Sequence, residues 1–103
     1  MFKSKNEFRY NKSTKHINYI FGQRKNRYLA VGLTSKNKTF GKKNMPLEKN
    51  PQKNKKAKSY IRTGIINNRI QSFSKHTDKR FKFSKNDFAN VKSKIRNYKK
   101  HRK

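Results

Sequence analysis

Apolar positions fall into three stretches, 17–33, 60–66 and 81–98, separated by polar and basic chain. In His16-Ile17-Asn18-Tyr19-Ile20-Phe21 the odd positions are apolar and the even ones mixed, the period of two that marks a half-buried strand. Gly22 to Arg27 supply turn chemistry, and Tyr28-Leu29-Ala30-Val31-Gly32-Leu33 reads as a second strand. The two are expected to pair as an antiparallel hairpin. A third strand is expected over residues 59–66, followed by a turn at Asn67-Asn68. Ile70 and Phe73 could open another short element, and Phe81-Lys82-Phe83 alternates like a strand end or edge.

The C-terminal stretch has helical spacing. Phe88, Val91, Ile95 and Tyr98 recur at intervals of three and four, and Lys92, Lys94 and Arg96 occupy the opposite face. Ser84 is placed to cap this helix, with Asp87 three residues on closing a variant of the capping box. The elements predict an α+β fold: a small antiparallel sheet of three to four strands backed by one C-terminal amphipathic helix, with basic flexible arms. Residues 1–15 read as a basic N-terminal arm, in which Phe2, Phe8 and Tyr10 are irregularly spaced. Residues 16–103 read as a single small domain with a basic loop at 34–58 and a basic C-terminal tail. Gly41, Pro46 and Pro51 interrupt any regular element in that loop, and Met45-Pro46-Leu47 is its one apolar spot, suited to pinning it to the body.

Composition changes the picture from fold to partner. Thirty-one lysines and arginines face four acids, Glu7, Glu48, Asp78 and Asp87, for a formal charge of +27 on 103 residues. A small fold with that charge repels itself unless counter-charge is close by. A phosphate backbone supplies counter-charge of the right density, because lysines displace its condensed cations. Nucleic acid is therefore the expected partner. With no cysteine, a disulfide framework and cysteine-based zinc sites are excluded. No apolar run approaches the ~20 residues of a membrane span, and the first seven residues lack the apolar stretch of a secretory signal. The chain reads as intracellular and cytoplasmic, with no membrane partner and no cofactor.

Sorting each strand by face gives a core side and a second side. Ile17, Tyr19, Phe21, Leu29, Val31, Leu33, Ile61 and Ile65 share the first, and the helix stripe is its natural cover. The second presents His16, Asn18, Tyr28, Ala30, Gly32, Tyr60, Arg62 and Gly64. Its small centre would let a ligand backbone approach. Tyr28 and Tyr60 are candidate stacking platforms, and Arg62 can fork onto phosphate. An antiparallel sheet also ordinarily has one solvated face, where such residues need no ligand. Arg24, Arg27, Lys42, Lys43, Lys55, Lys56, Lys92, Arg96, Lys99, Lys100 and Arg102 are the candidate phosphate contacts. Such contacts position a backbone without reading its sequence.

Magnesium-dependent nucleases need clustered carboxylates, and four scattered acids do not provide them. Three histidines far apart, without acids beside them, make no metal site. Metal-independent RNA cleavage needs only a base, an acid and cations for developing charge. Its candidates here are His16 as base or acid, Tyr60 as proton donor, Arg62 for phosphate charge, and Thr34, Ser35 and Lys36 at the exit of the second strand. The segment Tyr28-Leu29-Ala30-Val31-Gly32-Leu33-Thr34-Ser35-Lys36 resembles the strand-then-Thr-Ser-Lys segment of type III toxin–antitoxin endoribonucleases, barrel-like relatives of the PemK toxins. That resemblance covers about a tenth of the chain. It implies Thr34, Ser35 and a nearby lysine at an RNA-cutting centre.

Three readings result. The first is a nucleic-acid-binding protein, RNA favoured because a tyrosine-bearing sheet face suits unstacked bases better than duplex grooves. The second is a metal-independent endoribonuclease, toxin-like and encoded on a mobile element, whose partner would be an acidic or RNA antitoxin. The third is a ribosomal or other ribonucleoprotein subunit, whose arms neutralise charge within a particle.

Overall fold

A computed structural model describes the backbone of residues 3–101 and the side chains of residues 3–97. Tyr98, Lys99, Lys100 and Arg102, named above as stripe or phosphate-contact residues, have side chains outside the described residues. The fold is α+β. Its elements are β1 (Lys3–Asn11), β2 (His16–Arg24), β3 (Arg27–Thr34), β4 (Lys38–Thr39), β5 (Lys42–Lys43), β6 (Met45–Pro46), β7 (Tyr60–Arg69), a 3-10 turn (Ile70–Ser72) and α1 (Lys85–His101). A five-stranded antiparallel sheet runs in the order β1-β2-β3-β7-β6, and β4–β5 form a separate hairpin.

The expected hairpin is β2–β3, closed by Lys25-Asn26 and pairing Tyr19 with Val31. The strand count exceeds the expected three to four because residues 3–11 are a full edge strand rather than an arm. Asn11 makes this possible: its side-chain oxygen accepts from the Ser13 and Thr14 N–H groups, folding the chain back from β1 into β2. Phe8 then falls opposite Tyr19 and is buried. Met45 and Pro46 pin the long loop as expected, pairing with Ile61 and Tyr60 at the start of β7.

The core side forms as alternation predicts. Tyr19, Phe21, Leu29, Val31, Leu33 and Ile61 pack with Val91 and Ile95 of α1, and Ile17, Ile65 and Phe88 border them. Phe83 joins from the segment before the helix, its ring 4.9 Å from Tyr19 and 5.0 Å from Phe8. Burial here pushes the Tyr19 phenol up to about 12.

Ser84 caps α1, its hydroxyl accepting from the Asp87 N–H at 3.2 Å. The other half of the expected capping box is absent. The Asp87 carboxylate reaches instead across to the 48–49 loop, where it accepts from the Glu48 and Lys49 N–H groups at 2.7 and 3.0 Å. Glu48 answers by accepting from Ser84 and Asn86. The helix N-terminus and the loop are thus cross-tied, and Asp87 is 1% exposed.

The second side is not a free face along its whole length. After β7 the chain must return from one side of the sheet to β1 on the other, and it does so across this face. Phe73 packs with Ile20, Tyr28 and Ala30, flanked by Ile66 and Ile70. Residues 72–78 then bind the outer edge of β1, through Lys12 N–H to Ser72 O, Ser74 N–H to Tyr10 O and Asp78 N–H to Phe8 O. Half of the second face is therefore a second small core.

Candidate nucleic-acid interface

The fate of the four acids sets the electrostatics. Glu7 pairs with Lys5 and Arg9, and Asp78 pairs with Arg80. The Arg80 hydrogen bonds hold the Asp78 carboxyl below the usual carboxylate range and raise Arg80 in turn. Asp87 is spent on backbone N–H groups. Glu48 is held low by the hydrogen bonds it accepts from Asn86 and Ser84. Among the described residues only Lys5, Arg9 and Arg80 form ion pairs, and of the other cations Lys49 has the Glu48 carboxylate nearby.

These cations gather in three places. The first is the loop between β6 and β7. Leu47 is buried and its N–H donates to Ser59 O, closing the loop at its neck; Asn50 Nδ2 donates to Ala57 O across it. The closed loop surrounds a recess of about 560 Å³ ringed by Lys49, Lys53, Lys55, Lys56 and Lys58, with Glu48 and Tyr60 also lining it. Lys55 and Lys56, two predicted contacts, meet a predicted tyrosine here. The second place lies beside the β4–β5 hairpin, where Lys42 and Arg62 line a cleft of about 300 Å³. Lys43 stands exposed on the same hairpin. The third is a groove of about 440 Å³ between β1 and α1, lined by Lys92 and Arg96 together with the Glu7-paired Lys5. Arg24 and Arg27 sit apart, flanking the β2–β3 turn, and Arg27 donates to Asn67 O at 3.0 Å.

Tyr28 and Arg62, both expected on the second face, end in different surroundings. Tyr28 is 6% exposed, with the Phe73 ring set edge-on at 5.3 Å and the Lys5 and Arg9 charges over its ring at 5.5 and 5.3 Å. Its ring is committed to the second core and offers no platform to a base. Arg62 is half-buried, its stem laid along Gly32, where a Cβ would stand 3.3 Å from Arg62 Cδ. Its guanidinium makes no hydrogen bond or ion pair among the described residues, so it remains open to an anion.

The ribonuclease candidates share one end of the sheet without forming a constellation. Thr34 pairs in register with Tyr60, and the Thr34 hydroxyl accepts from the Lys36 N–H at 3.2 Å. Ser35 and Lys36 are exposed beyond the strand, and His16 is exposed at the start of β2. No described hydrogen bond joins His16, Tyr60, Ser35 or Arg62 side chains to one another, so no base is paired with a nucleophile. No described group of His, Asp and Glu could hold a metal ion, and no described helix is long and apolar enough to cross a membrane.

One exposed aromatic was not singled out by the sequence. Phe40, at the tip of the β4–β5 hairpin, is 95% exposed. The signal was Thr39-Phe40-Gly41 set between lysines. Read as part of an irregular loop, it gave no sign of a turn that would lift the ring away from the body. Comparison with family models, curated proteins and solved structures brings no match.

Proposed function

We propose that this protein binds nucleic acid, RNA in preference to DNA, by gripping phosphates with its unpaired lysines and arginines. The observation that carries the reading is the accounting of acids. All four serve internal ties, and the net charge of +27 that remains after they are counted is to be met from outside. The lysine-ringed recess beside Tyr60 is the strongest concentration of that charge and the first point of contact. A cytoplasmic setting goes with this reading. Binding rather than cutting is favoured, because His16 has no partner to orient or activate it.

The test is titration of labelled single-stranded RNA and DNA of one sequence across a salt series in EDTA, with strand integrity read on the same samples. Affinity is expected to fall steeply with salt. Lys53, Lys55 and Lys56 changed together to Gln should flatten the log–log slope by up to ~2, at ~0.7 per phosphate contact on single strands. Binding that ignores salt, or no binding at low salt, would overturn the proposal. RNA fragments appearing in EDTA would instead favour the ribonuclease reading.

A further inference from the structure

Phe40 occupies a position that neither packing nor backbone preference explains. The two-residue loop Phe40-Gly41 closes the hairpin with φ of +51° and +78°, the pair of positive values a type I′ turn demands. Asn is the residue that adopts this conformation readily; a bulky aromatic there is an outlier. The ring recovers nothing from burial, being 95% exposed. A strained residue with an exposed aromatic ring points outward, to something the ring meets.

The surroundings say what. Phe40 forms one wall of the 300 Å³ cleft whose other side is β7, with Lys42 and Arg62 also lining it. Gly64 lies on the β7 side, and a Cβ built there meets nothing within 4 Å, so the wall opposite Phe40 is open at that point. Thr14 also lines the cleft, and its hydroxyl is shielded from solvent without a described partner. An aromatic wall, an opposing strand left open at Gly64 and two cations together match one nucleotide: a base in the cleft and its phosphate on the cations.

We infer that the cleft between the β4–β5 hairpin and β7 takes one unpaired base of a single-stranded RNA, stacked on Phe40, with Lys42 and Arg62 on the adjoining phosphates. This rests on the nucleic-acid-binding reading and adds a base-dependent component to it. A lipid surface fits less well, since Phe40 is a lone apolar side chain in a hairpin otherwise made of Lys, Thr and Gly.

The experiment compares a labelled oligouridylate of about 12 nucleotides, within the span one small domain covers, with an abasic oligomer of the same length and charge. Wild-type protein is expected to bind the uridylate more tightly. Phe40→Asn should weaken uridylate binding about five- to 150-fold, the range for losing one stacked aromatic, and leave abasic binding and the salt slope unchanged. Gly64→Leu should do the same by filling the cleft. Asn suits the turn and Leu meets open space, so both variants should melt no lower than wild type. If wild type binds both oligomers equally, or if the uridylate preference survives Phe40→Asn, the inference falls and the phosphate-gripping reading stands. If neither oligomer binds at ~50 mM salt, where such contacts are strong, both fall. If Phe40→Asn loses binding to phosphatidylserine vesicles while keeping the uridylate preference, the tip is a membrane contact and the inference is overturned.

Discussion

In β2 and β3 the helix face of the sheet carries Ile17, Tyr19, Phe21, Leu29, Val31 and Leu33, the other face only Ile20, Tyr28 and Ala30, and the two end in different states. The helix face is closed over its centre by Val91, Ile95 and Phe83. The other is closed over Ile20, Tyr28 and Ala30 by Phe73 crossing back to β1, is covered at Gly32 only by the Arg62 stem, and is open around Gly64. Alternation along a strand decides which residues share a face. What covers the face is decided by where the chain must travel next. With β1 and β7 on opposite sides of the β2–β3 hairpin, the chain after β7 can bind the β1 edge only by passing over one face.

The sharpest way to break this comparison is to weaken each closure separately. Phe83→Ala, on the helix face, and Phe73→Ala, on the other, should each cost ~3–5 kcal/mol, the usual range for removing a buried phenylalanine. In a domain whose total stability is of order 5–15 kcal/mol, either loss shows as a large fall in urea midpoint. Equal losses make the second face a true core. A Phe73→Ala cost below ~0.5 kcal/mol, typical of surface sites, would make it a solvated face after all.

A smaller effect tests the tie between helix and loop. Asp87→Asn replaces one acceptor oxygen with a donor that faces a backbone N–H, and should cost ~1–3 kcal/mol, the penalty for leaving a buried group unpaired. Amide exchange at Glu48 and Lys49 should speed up together, because both N–H groups lose or share their acceptor. If those amides stay protected, the loop is held by Leu47 rather than by Asp87.

Much of the fold could be read from residue order alone, and the misses have physical causes. Ile17 to Leu33, Ile61 and Ile65 sorted correctly because β2, β3 and β7 bury one face against a helix whose stripe is unmistakable. β1 was missed because it is an edge strand with a bulge between Ser4 and Glu7, so that Phe8 is its single buried apolar residue. It is a strand because β2 and residues 72–78 pair with it, and such partners are distant in sequence. Asp87 sat at a capping position, but its acceptor role depends on a loop 38 residues away. At the candidate site, charge identified the lysines and Arg62, while the fates of Tyr28 and Phe40 were exchanged. Tyr28 belongs to a regular strand whose second face looked open, and only the returning chain buries it. Phe40 belongs to a polar loop, and only the positive-φ turn exposes it.

The faintest contrast lies in the response to acid. Glu48 is held low by Asn86 and Ser84, and Asp78 by Arg80. A carboxyl depressed by folding stabilises the native state above its unfolded value, and that contribution is lost as pH falls through the folded value. Stability should therefore be flat from neutral pH down to the carboxylate range and decline below it. Both groups are near solvent, so the decline attributable to either is small. Asp78→Asn should lower the urea midpoint slightly at neutral pH and not at all once the wild-type carboxyl is protonated. Glu48→Gln should behave alike, with its loss centred on the helix N-terminus rather than on residues 72–78. Asp78 lies neither at the lysine-ringed recess nor in the Phe40 cleft, so RNA affinity in Asp78→Asn should match wild type once stability is equalised, whereas Glu48 lines the recess and Glu48→Gln should tighten binding slightly at low salt. A change in affinity with Asp78→Asn would mean that the strap over β1 reaches the nucleic acid, extending the interface onto the closed half of the second face.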